Sequence, residues 1–139
     1  AGYSTLQGTG TGSSFAIGMQ LNSSSMYVAT ASTTDVLRVT AYLHPQESDR
    51  NAAADVFVVV QTPAGWRMRD TTGKFVPWDT RLSTLVPAHE AVTLADGLGL
   101  ELFSGLQWLA GQYRFYLGYM RADADELVHA LQPASFTIQ

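Results

Sequence analysis

The sequence predicts an all-β chain folded as an antiparallel β-sandwich. Three observations carry that expectation. Short stretches alternate apolar and polar residues with a period of two, turn residues recur roughly every eight to twelve positions, and no stretch shows the 3.6-residue period of an amphipathic helix. The densest stretch is Leu106 to Ala122, LQWLAGQYRFYLGYMRA, in which Tyr113, Phe115, Leu117 and Tyr119 share one face and Arg114, Tyr116, Gly118 and Met120 the other. It reads as a long central strand.

Size and charge set the limits. The 139 residues suit one domain with a real core. Charged residues are only 14% of the chain, well under the ~25% of an ordinary soluble domain, so Ser, Thr, Gln, Asn and Gly must cover much of the surface. A net charge of −4 with scattered basic residues argues against nucleic acid or an anionic membrane as partner. No apolar run reaches the ~18 residues of a membrane span. The chain has no cysteine, hence no disulfide framework and no thiolate metal site. It opens on Ala1, which would suit cleavage of a secretory signal after a small residue.

Residues 1–14, AGYSTLQGTGTGSS, read as an extended N-terminal segment, a donor strand or a linker, ahead of a β-sandwich domain over 15–139. No residue before Asp35 is charged, which is easier to explain for a segment lying along a groove or a sheet edge than for a solvated tail. Phe15, Ile17, Met19 and Leu21 alternate with small or polar residues as a half-buried strand, with Asn22 to Ser25 as its turn. Met26 to Thr30 is a second short strand. In the third, Leu37, Val39, Ala41 and Leu43 face inward and Arg38, Thr40, Tyr42 and His44 outward, and Pro45 ends it. The loop from Gln46 to Ala54 leads to Val56–Val60, an unbroken apolar run expected to be covered on both faces.

Trp66–Arg69 and Lys74–Trp78 flank Asp70-Thr71-Thr72-Gly73, in which Asp opens a turn and Gly supplies a positive φ. Pro77 cannot donate to a ladder, so the second arm is expected at an edge. Thr80 to Ala88 crosses over with Leu82, Leu85 and Val86 as anchors. His89–Leu94 and Leu98–Phe103 read as a strand pair around Asp96-Gly97. After the central strand, Asp123 to Glu126 turns, Leu127–Leu131 pairs back, and Phe136 and Ile138 form a last strand beyond Pro133.

Within this frame LAGQYRF, Leu109 to Phe115, resembles the tyrosine-corner region of immunoglobulin-like sandwiches, with Gly111 and Tyr113 in the expected relation. Leu109 stands where an Asp is usual, and Phe115 where a core cysteine would be. Taken with GW and GKFVPWD between Gly65 and Asp79, the chain resembles Ig-like domains of bacterial secreted and surface proteins. The resemblance implies an Ig-like antiparallel β-sandwich and an extracellular or cell-surface location. Folds of this kind host adhesion, scaffolding, filament building and sugar binding, so the fold alone does not select among them.

Candidate chemistry is sparse. His44, His89 and His129 lack a short metal spacing, so ordinary histidines are the better reading than zinc. Asp123, Asp125 and Glu126 could offer oxygens to calcium, though acidic turn residues are commonly just solvated. Trp66, Trp78, Trp108 and Tyr116 could stack on a sugar, against the plainer reading of core plugs. Asn22-Ser23-Ser24 fits a glycosylation acceptor, a pattern frequent by chance. No nucleophile elbow occurs. The expectation is therefore no catalytic residues, no cofactor and no metal.

Two functions remain. The first is a non-enzymatic extracellular subunit that assembles head to tail into a filament or pilus-like polymer, lending Tyr3, Leu6, Phe15, Ile17, Met19 and Leu21 to the next copy. The second is an Ig-like binding module of a larger secreted protein, with carbohydrate or adhesion as its business. It predicts an aromatic patch left exposed.

Overall fold

The computed structural model describes residues 3–7, 12–21, 26–95, 97–106, 108–123 and 126–139, with side chains at all of them except 3–7 and 103–106. Two sheets face each other across one apolar core. The smaller holds β1 (Tyr3–Gln7), β2 (Ser14–Leu21), β3 (Tyr27–Val28), β5 (Leu37–His44) and β10 (Leu98–Leu106). Its order is β1-β2-β5-β10, with β3 also on β2. The larger holds β4 (Thr30–Ala31), β6 (Ala53–Thr62), β7 (Gly65–Arg69), β8 (Phe75–Pro77), β9 (His89–Thr93), β11 (Gly111–Arg121), β12 (Leu127–His129) and β13 (Ala134–Ile138). Its order is β4-β13-β11-β6-β7-β8, with β12 on β11 and β9 on β6. The chain is thus an all-β sandwich, antiparallel except for the short β13–β4 pair.

Period-two patterning decides which side chains meet. Phe15, Ile17, Leu37, Ala41 and Leu43 from the smaller sheet, and Val56, Val58, Phe115 and Tyr119 from the larger, are all 0% exposed. They form a single cluster. Phe15 and Tyr119 touch across it with ring centroids 6.4 Å apart. Val56–Val60 is covered on both sides as its sequence implies: Val59, on the outer face, is also buried. Pro77 lies in β8, the end of the larger sheet's path, where a missing N–H costs no ladder bond.

Three expectations change. The pair proposed around Asp96-Gly97 is not a pair, because β9 joins β6 while β10 joins β5 in the other sheet; Asp96 itself lies outside the described residues. The central strand starts at Gly111, not Leu106, since Leu106 ends β10 and Trp108 to Ala110 connect the two sheets. The strand read at Met26 to Thr30 is divided, β3 to one sheet and β4 to the other. Each change has the same cause: alternation reports which face is buried but not which sheet supplies the partner.

The N-terminal segment finds its edge within the chain. β1 pairs antiparallel with β2 from Tyr3 opposite Gly18 to Gln7 opposite Ser14, so residues 3–7 are part of the sandwich and the expected boundary at 14/15 falls inside β2. Phe15, Ile17 and Met19 are at most 2% exposed in this chain's own core. Leu21 packs against that core, while the side chains of Tyr3 and Leu6 lie outside the described residues.

At the β10–β11 connection, the Tyr113 hydroxyl donates to the Leu109 carbonyl at 2.7 Å. Burial also raises the pKa of this phenol. Tyr113→Phe is expected to lower stability by about 1 kcal/mol, measured by thermal unfolding; an unchanged transition would mean the bond carries nothing net. Opposite, Tyr119 donates to buried Asp49 at 2.7 Å, and Gln46 Nε2 donates to the same oxygen at 2.8 Å. Arg121 supplies the counter-charge at 3.3 Å. This ties the 3-10 turn Glu47–Asp49 to β11.

Candidate binding groove

On the outer face of the larger sheet, Val59, Trp66 and Tyr116 stand on adjacent strands β6, β7 and β11. The crossover after β8 passes over this face as a strap, with a 3-10 turn at Leu82–Thr84. Asp79 organises the strap. Its carboxylate accepts from Arg81 N at 3.0 Å and Arg81 Nε at 3.0 Å, and from the Thr84 hydroxyl. Its pKa is held down to about 2, first by the Thr84 bond and then by the Arg81 amide, so it remains an ionised acceptor at any physiological pH. Thr80 sits at φ 70, an unusual conformation for a β-branched residue.

Between strap and sheet is a half-open groove of about 250 Å³ lined by Phe57, Trp66, Trp78, Leu82, Leu85, Tyr116, Leu127 and His129, among others. Phe57, Leu82, Leu85, Leu127 and His129 also line an adjoining hollow that reaches Met120. The two share these walls. Trp66 meets Trp78 edge-on at 5.9 Å and 83°, and Tyr116 at 5.5 Å and 41°. Trp78 is anchored by its Nε1, which donates to the Arg81 carbonyl at 3.0 Å. All three aromatics are only partly buried, and Leu82 is 69% exposed. The floor can lie close to β12 because Gly118 has no Cβ; one there would meet the Val128 carbonyl oxygen at 3.0 Å.

The structure therefore brings three of the four expected aromatics together and separates the fourth. Trp108 packs into the end of the core, stacked on Phe115 at 5.5 Å and against Tyr113 at 4.5 Å. The three rings of the groove lean on one another at an angle, so they present no flat shared platform for a sugar ring. The lining carries one imidazole, His129, with Nδ1 2.8 Å from the Ala130 carbonyl oxygen.

Among the described residues no three His, Asp or Glu side chains come together as metal ligands. Asp123 is engaged by Arg121 through two bonds of 2.9 and 2.8 Å. Asp125, and the Asn22 to Ser25 turn with its glycosylation pattern, lie outside the described residues. No described helix is long and apolar enough to cross a membrane. Sequence reasoning read the crossover but not the face it covers, and Leu82, expected as an anchor, is 69% exposed. The strap's signal was present in Leu82 and Leu85 beside Asp79 and Thr84, but anchors in a crossover do not say which face they cover.

Comparison with known proteins adds no assignment: no family model matches the chain, and no curated protein is similar to it.

Proposed function

We propose that this chain is a non-enzymatic binding module of a secreted or cell-surface protein, and that its ligand seats in the groove between the strap and the larger sheet. The observation carrying this reading is the convergence of partly buried Trp66, Trp78 and Tyr116 in one half-open apolar depression. Apolar side chains left open to water in this way favour a partner that covers them. The chemistry suits aliphatic or aromatic side chains of an extended partner polypeptide better than a sugar, because polar groups to orient hydroxyls are scarce. Head-to-tail assembly by strand lending draws less support. The uncharged N-terminal segment that motivated it already has a partner strand in β2, and Phe15, Ile17 and Met19 are needed in this chain's own core.

Tryptophan fluorescence titrated with hydrophobic extended peptides and, separately, with oligosaccharides tests the reading. Peptides are expected to shift the emission of Trp66 and Trp78. Leu82→Asp, at a largely exposed position, is expected to weaken binding at least about tenfold, since seating one apolar side chain is worth roughly 1.5–3 kcal/mol. Equal affinity of the variant, or a response to neither ligand class, removes the groove from the function. Growth of long polymers in concentrated solution, lost on deleting residues 1–14, would restore strand lending in its place.

A further inference from the structure

Away from the groove, Arg69 at the end of β7 reaches from the larger sheet to the smaller. Its Nε donates to the Leu102 carbonyl of β10 at 2.7 Å, and its Nη1 donates to the Ala88 carbonyl at 3.0 Å and approaches the Asp70 carbonyl at 3.4 Å. β10 is the outer strand of the smaller sheet, paired only with β5 among the described strands, and two register irregularities interrupt it at Glu101/Phe103 and Ser104/Leu106. Arg69 thus occupies a main-chain acceptor on an edge strand, where bulges and a cation together discourage unwanted pairing.

The same Nη1 lies 3.4 Å from His89 Nε2. A guanidinium has only donors, so this contact is a hydrogen bond only in the neutral tautomer that keeps the lone pair on Nε2 and the proton on Nδ1. Burial first, and the Arg69 charge second, hold the His89 pKa below its ordinary value. Burial lowers the Arg69 pKa, while Asp70, in the turn after β7, and Glu101 on β10 favour its cation. Glu90 follows His89 on β9, and Asp55 on β6 accepts from the Ala91 amide.

We propose that Arg69 and His89 form an acid-released clasp between the two sheets, in which protonation of His89 drives Arg69 off the Leu102 and Ala88 carbonyls and frees the β10 edge. Protonation turns Nε2 from acceptor to donor and sets a second cation against the first, so attraction becomes repulsion. The linkage follows. A histidine whose pKa is lowered by folding binds fewer protons in the folded chain than in the unfolded one, so its contribution is complete above the ordinary value of about 6.5 and falls as pH drops through that region.

Side-chain hydrogen exchange of the Arg69 Nε–H, read by NMR as a protection factor between pH 7.5 and 5, tests the clasp. In the native chain the protection is expected to fall at least about tenfold in step with the titration of the His89 ring. In His89→Gln, whose amide oxygen still accepts from Arg69, protection should persist to pH 5. In Arg69→Met the His89 midpoint should rise toward the ordinary value. Protection that stays level through the His89 titration overturns the proposal, as does an equal loss in His89→Gln. If Arg69→Met does not fold, the native chain and His89→Gln still decide it.

Discussion

Phe115→Ala is expected to destabilise the chain by about 3–5 kcal/mol, the range for emptying an aromatic position in a close-packed core. Phe115 is 0% exposed. Its ring stacks on Trp108 at 5.5 Å and meets Phe136 edge-on at 5.9 Å, so truncation removes the contact surface between β11, β13 and the β10–β11 connection together. The neighbouring Arg114 points to the other face and bonds to the Gln61 and Gln112 side chains, at 3.3 and 3.1 Å. Arg114→Ala should cost less than about 1 kcal/mol, as partly exposed polar contacts do. Urea unfolding of the two variants separates them, and equal midpoints would mean that the inward face of β11 is wrongly assigned.

The second large effect is expected at Gly111. A Cβ at this position would lie 2.2 Å from Pro63 Cγ, and the backbone sits at φ +141, outside what side-chain-bearing residues ordinarily adopt. Pro63 belongs to the turn between β6 and β7, and Gly111 opens β11 beside β6. The clash therefore pushes the start of the central strand away from its neighbour. Overpacking of about 1–3 kcal/mol and backbone strain of similar size give an expected loss of roughly 2–6 kcal/mol for Gly111→Ala. Gly65 is the control: it has φ +118 but nothing within 4 Å of a built Cβ. Its alanine variant should show the strain without the clash. Calorimetric melting of both proteins gives the comparison, and equal losses would assign the whole effect at Gly111 to backbone conformation.

Much of the sandwich is legible in the residues themselves. In β2, β5 and β11 alternate side chains point to opposite faces whatever the partner strand is. Leu37, Val39, Ala41 and Leu43, and likewise Tyr113, Phe115, Leu117 and Tyr119, could therefore be placed inward before any partner was known. Pro77 at an edge and the turn at Asp70 follow equally locally: Asp70 accepts from the Thr72 and Lys74 amides at 2.9 and 3.0 Å. The aromatic side chains of the groove were also visible as candidates. Their grouping was not, since Trp66, Trp78 and Tyr116 come from β7, the start of the strap and β11, and nothing local to those segments separates them from Trp108.

Partner choice is what only the tertiary structure decided. β9 and β10 carry adjacent patterns joined by a short turn, yet they enter different sheets. The uncharged N-terminal segment needed an edge, and which edge it takes depends on the exposed side of β2. Arg69 and His89 are 20 residues apart and met only because β7 and β9 both lie along β6. Alternation is a property of one strand, set by backbone geometry over a few residues. Pairing, strap placement and side-chain convergence depend on non-local contacts, whose energies belong to surfaces that do not exist until the two sheets have closed on each other.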